Sequence, residues 1–139
     1  MIRKSIFILI IYLIIIQNCF ANQENIIDTE RQNCLDTNFQ SDYSMSQCNN
    51  KPIEKYNNEI QELLKKLKNS LTKSQYYKLK KSQNQWDKYT EKNNALFEST
   101  LENKSYFEPY LLSSGIKFES YKQRYNELFI IYEYVEIKK

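Results

Sequence analysis

Apolar residues in this chain recur at steps of three and four in three separate runs, a spacing that only helices can turn into continuous faces. Ile53, Tyr56, Ile60, Leu63, Leu64, Leu67 and Leu71 make one stripe, with Lys55, Glu59, Glu62, Lys65 and Lys66 off it. A second runs through Tyr76, Leu79, Gln83, Trp86, Tyr89 or Thr90, Asn93, Leu96, Phe97 and Leu101, and carries two polar residues, Gln83 and Asn93. The third is Phe118, Tyr121, Tyr125, Leu128, Tyr132 and Val135. A single Gly and two Pro in 139 residues leave few places to turn, so the helices should be long and their connections short. The pattern predicts an all-α fold, an up-down-up bundle of three main helices around a Tyr-rich core.

Local signals place the helix ends. Ser41-Asp42 is a plausible N-cap pair, with Met45 and Cys48 on one face of the stretch that follows. Pro52 interrupts it, because proline cannot donate to the carbonyl four residues back. Either a short helix ends near Asn49-Asn50 and another starts with Pro52 in its first turn, or one helix kinks there. Thr72-Lys73-Ser74-Gln75 has capping-box spacing and opens the second long helix. Asn103 to Gly115, with Pro109 and the only Gly, breaks the pattern, and the third helix should begin near Ser113 or Ser114. Lys78, Lys80 and Lys81 read as a solvated outer surface.

The front of the chain predicts export. Arg3 and Lys4 form a positive n-region, Ser5 to Ile16 an apolar stretch, and Gln17 to Ala21 a polar turn ending in a small residue. Residues 1–21 are expected to be a signal peptide cut after Ala21, residues 22–40 a loose polar leader held down by Cys34, and residues 41–137 the helical domain. The apolar run, about 12 residues, is short of the ~20 that a membrane-spanning helix needs. Membrane association would then require an uncleaved signal or a lipid on Cys19, where Asn18 is a poor preceding residue for a lipoprotein box. With Cys19 set aside, Cys34 and Cys48 form an even pair, expected to be disulfide-bonded in an oxidising compartment. The bond would close a loop of about 15 residues, for which chain entropy gives ~3 kcal/mol.

Several function classes lack support. The chain has no His and only one Gly, so a His-based acid–base site and a Gly-rich phosphate loop are excluded. Two thiols without His make an incomplete zinc site, and no cofactor is implied. Removing Arg3 and Lys4 from the 20 basic groups leaves 18 against 17 acidic ones, a net charge of +1. Nucleic-acid binding would need a concentrated basic face, and none is evident. The expectation is a non-enzymatic protein.

At Leu79-Lys80-Lys81-Ser82-Gln83-Asn84-Gln85-Trp86 the sequence resembles the LprI family of lysozyme inhibitors. The family pattern sets two early cysteines around a helix start, then Leu-x-x-x-Gln-x-x-Trp, an Arg-Asp pair, a third Cys, and a fourth Cys before Thr-x-x-Arg-x-x-x-Leu. Here Cys34 and Cys48, with Met45 three residues before the second, match the early pair. Leu79, Gln83 and Trp86 complete the central motif, and Arg124 and Leu128 keep the tail. Thr90-Glu91 replaces Arg-Asp, Tyr121 the tail threonine, and Asn94 and Ile116 the last two cysteines. Joint loss of those cysteines fits two halves of one disulfide.

Pairing Asn94 with Ile116 across antiparallel helices would set Arg124 opposite Trp86 and Tyr121 opposite Tyr89, with Arg124 stacked on Trp86 or bonded to Gln83. Gln83, Trp86 and Arg124 are therefore read first as a link between helices. The resemblance implies an exported, periplasmic or secreted helical protein of the cell envelope, with a protein partner that would be a lysozyme. The alternative is a structural or interaction module with a different partner. Tyr106, Phe107, Glu108 and Tyr110 are the candidate partner contacts, although the same aromatics would also serve to close the end of the bundle.

Overall fold

The structure, a computed structural model, describes residues 26–39, 41–101 and 108–138, and all its regular structure is helical. The expected signal peptide and Cys19 lie outside the described residues, as do Tyr106 and Phe107. A first helix, α1, covers residues 26–37. It is followed by α2 (Asp42–Gln47), α3 (Asn50–Ser70), α4 (Lys73–Leu101) and α5 (Glu108–Ile137). No helix among the described residues is long and apolar enough to cross a membrane.

Capping chemistry sets several of these boundaries. Ser41 caps α2 by accepting from the Ser44 amide at 3.1 Å. The chain then breaks at Cys48 and Asn49, and Pro52 sits in the first turn of α3, where its missing N–H costs nothing. Thr72 and Gln75 form a reciprocal box: the Thr72 amide donates to Gln75 Oε1 at 3.0 Å, and the Gln75 amide donates to Thr72 Oγ1 at 3.3 Å. The start of α5 differs from expectation. It begins at Glu108, not near Ser113, because Pro109 is compatible with a first helical turn and Gly115 continues as ordinary helix.

α5 is the central element, packing against α2, α3 and α4, while α3 and α4 meet it more closely than they meet each other. Tyr56 on α3 and Phe118 and Tyr125 on α5 form its aromatic centre, with ring centroids 5.8 and 5.4 Å from Tyr56. Ile60, Leu63, Leu67, Leu79 and Leu128 extend this core. Each such side chain contributes about 1.5–3 kcal/mol by leaving water. Asn49 bonds Ser114 at 2.7 Å and Ser70 bonds Glu136 at 2.7 Å, so α3 and α5 run parallel over their length.

The described part of the expected polar leader is not loose. Residues 26–37 form α1, and Ile27, 2% exposed, enters the core. Asp28 accepts from the Tyr56 hydroxyl at 3.0 Å and pairs with Lys122. Arg31 lies 4.2 Å above the Phe118 ring and donates to Asn49 Oδ1 at 2.6 Å. Ile27, Arg31, Cys34 and Leu35 do share a face, but only two of them are aliphatic, so the stripe is too thin to read. Polar contacts to other elements hold most of it. Cys34 and Cys48 are disulfide-bonded with Cα atoms 5.5 Å apart, fastening the end of α1 to the end of α2.

Two outcomes follow from this packing. Replacing both Cys34 and Cys48 by Ser should lower stability by ~3 kcal/mol, read as an earlier urea midpoint, with faster amide exchange in residues 26–37. Glu133 has its carboxyl held above the usual range by burial and then by the charge of Glu136. A raised carboxyl pKa opposes folding once the group ionises, and the opposition is gone below the unfolded value of about 4.3. Glu133→Gln should therefore raise the melting temperature at neutral pH and give no gain below about pH 4.

Candidate functional site

The α4–α5 interface carries a polar seam inside an apolar one. Gln83 lies on the buried face of α4 and Arg124 on the buried face of α5, where Arg124 is 5% exposed. A guanidinium that has lost its water needs acceptors, and three surround it. Arg124 Nε donates to Gln83 Oε1 at 2.9 Å, Nη1 meets Glu127 Oε2 at 3.0 Å, and Nη2 lies 3.4 Å from Ser82 Oγ. The Gln83 amide nitrogen in turn donates to Asp87 Oδ1 at 2.9 Å. Below this seam Trp86 meets Tyr121 edge to face, centroids 5.1 Å apart. Burial, and then the Asp87 charge, raise the Tyr121 hydroxyl above its ordinary pKa.

The expected bond from Arg124 to Gln83 is present, while the offset between the helices differs from the expected one by about one turn. Arg124 meets Gln83 and Tyr121 meets Trp86, whereas Tyr89 is 63% exposed and Thr90 takes the buried position. The expectation was counted from Asn94 and Ile116. Neither can form a covalent tie, so side-chain packing alone sets the offset. Leu79 and Leu128 both lie in the core beside the seam. In the arrangement of Leu79, Gln83, Trp86, Arg124 and Leu128 the polar members bond one another and their neighbours, and the apolar members pack beside them, which is what a link between helices requires.

A groove opens where α4 and α5 face the disulfide-linked front of the molecule. Leu35 and Met45 wall it on one side, Tyr89 and Asn93 on another, and Leu111 and Ile116 on the third, enclosing about 650 Å³. Arg31 and Glu119 bring opposite charges to its lining. Gly115 also borders it, and a Cβ there would meet nothing within 4 Å, so a side chain at this position would enter open space. Glu108 opens α5, and Tyr110, 64% exposed, precedes the groove residues Leu111 and Leu112. Such a surface suits an apolar anchor from a partner, ringed by polar contacts. Among the described residues, no group of three or more His, Cys, Asp or Glu is placed to hold a metal ion.

Sequence reasoning passed over Arg31, Leu35 and Glu119, which build this groove. Two stand in a segment that reads as polar, and the third lies on the solvent side of the α5 stripe. The available signal was the shared face of Ile27, Arg31, Cys34 and Leu35. The α4–α5 seam has its own check. Gln83→Ala removes an acceptor from a buried charge and should cost about 1–3 kcal/mol. Combined with Arg124→Met, the loss should be smaller than the sum of the two single losses, as a double-mutant cycle in urea would show.

Comparison with known families gives a match. The family model described as lysozyme inhibitor LprI covers residues 34–128, from the first disulfide cysteine to the buried leucine at the end of the α5 motif. No curated protein and no solved structure matches the chain.

Proposed function

The chain belongs to the LprI family of lysozyme inhibitors, and from that premise we propose that it is an exported, non-enzymatic envelope protein that inhibits a lysozyme by binding it. The contact surface in this reading is the α4–α5 groove, together with the start of α5 and the residues before it. The groove's open apolar lining carries the assignment, since it could seat one anchoring side chain of a partner and exclude water around it. Tyr110 precedes the groove residues Leu111 and Leu112, and Tyr106, Phe107 and Glu108, close to it in sequence, are proposed as further partner contacts. The seam of Gln83, Trp86 and Arg124 then has a positioning role, holding α4 against α5 so that the groove keeps its shape. A net charge of +1 after signal removal gives no bulk attraction for a basic enzyme. Affinity must come from short-range fit and local acidic groups such as Glu108 and Glu119.

Export is supported by the apolar segment behind Arg3 and Lys4 and by the chemistry of the Cys34–Cys48 bond, which persists in oxidising compartments. The full chain, produced with its own leader and recovered after export, should abolish lysozyme turbidity clearance at stoichiometric excess. Tyr110→Ala should weaken inhibition roughly tenfold, a loss typical of a hot-spot aromatic. Gly115→Trp, which would fill the groove, should weaken it further while leaving the helical circular dichroism intact. Unchanged lysis at excess wild-type protein would remove the inhibitor reading in favour of an envelope module with another partner. Full inhibition by Gly115→Trp would move the contact off the groove.

A further inference from the structure

The last three turns of α5 are apolar nearly all the way round: Phe129, Ile130, Ile131, Tyr132, Tyr134, Val135 and Ile137 are interrupted only by Glu133 and Glu136. A helix with that composition is ordinarily buried on every side. Here the core takes one side only, packing Phe129 and Tyr132 against it, while Ile130, Tyr134 and Ile137 are 66%, 59% and 52% exposed. Those three are spaced four and three apart. They continue the solvent-facing line of Gln123 and Glu127 in a coiled-coil seam, with Ile130 and Ile137 at one core position and Tyr134 at the other.

We propose that this seam is an interface between two copies of the chain, paired in parallel through the C-terminal turns of α5. Charge spacing selects both the occupant and its direction. With Ile130 and Ile137 as the d-type positions, Glu133 falls at the preceding flank and Lys138 at the following one, five residues on. In a parallel pair, Glu133 of one copy meets Lys138 of the other, twice by symmetry. An antiparallel pair would set Glu133 against its own counterpart. At the inner end Glu127 would face its counterpart, but its Oε2 is already paired with Arg124 Nη1, which offsets that repulsion. The acidic residues along this turn, Glu127, Glu133 and Glu136, also disfavour an anionic lipid surface as the occupant.

The patch is small compared with a standard interface of about 800 Å² per partner, so the pairing is weak and reversible. Ile130, Tyr134 and Ile137 do not line the groove assigned to inhibition, and the pairing does not depend on that function. Sedimentation velocity of the exported full chain over a wide concentration range tests it. The weight-average mass should climb from that of one chain toward twice that value. Ile130→Lys, at a solvent-facing position, should keep the helical spectrum and melting temperature and weaken association at least tenfold. Glu133→Lys should weaken it several-fold, and Glu133→Lys with Lys138→Glu should restore it.

A constant monomer mass, or association indifferent to Ile130→Lys, would overturn the interface. Failure of the charge swap to restore pairing would overturn the parallel arrangement. Flotation with neutral phosphatidylcholine vesicles, lost in Ile130→Lys while the mass stays monomeric, would assign the seam to a lipid surface instead.

Discussion

Burial of one face of α5 is the interaction on which the molecule depends. Phe118, Tyr125 and Leu128 lose nearly all their water contact against Tyr56, Ile60 and Leu67 of α3, and the other elements are arranged around that contact. α4 closes a second side of α5, and α1 crosses the front with Ile27 in the core and Arg31 over Phe118. Tilted aromatic contacts add modestly to the area buried. Area dominates, because hydrophobic transfer scales with it and each ring removes a large surface from water.

Hydrophobic burial alone leaves the helices free to slide, and buried polar groups remove that freedom. Arg124 is placed by three acceptors and Asn49 by contacts to both α1 and α5. A slip of one turn would strand a guanidinium or an amide without partners, at a cost of about 1–3 kcal/mol or more for each group. The disulfide acts differently, restricting the unfolded chain and keeping α1 close to its docking face. The groove exists because these restraints hold the front and centre of the bundle while leaving the space beside Gly115 unfilled.

How much of this was legible varies by element. The stripe from Ile53 to Leu71 reads directly as α3, because every third or fourth residue is aliphatic or aromatic. The box at Thr72 and Gln75 gives the start of α4 from local chemistry alone. The start of α5 was misplaced because Pro109 and Gly115 both look like breakers, although one suits a first turn and the other sits in unstrained helix. α1 was missed because Asp28, Arg31 and Asn49 stabilise it through partners far away in sequence. Of the candidate site, the pairing of Gln83 with Arg124 was within reach of motif reading, while the groove walls contributed by Leu35, Met45 and Glu119 were not.

Sequence by itself determined the helical class, the long helices, the cysteine pair and the family kinship, since these rest on periodicity, caps and motif spacing within single segments. Only the tertiary structure decided the α4–α5 register, the docking of α1 and the existence of a groove. Each of these depends on which side chains meet across elements. Such meetings are set by the joint satisfaction of many distant contacts, and no local spacing encodes them.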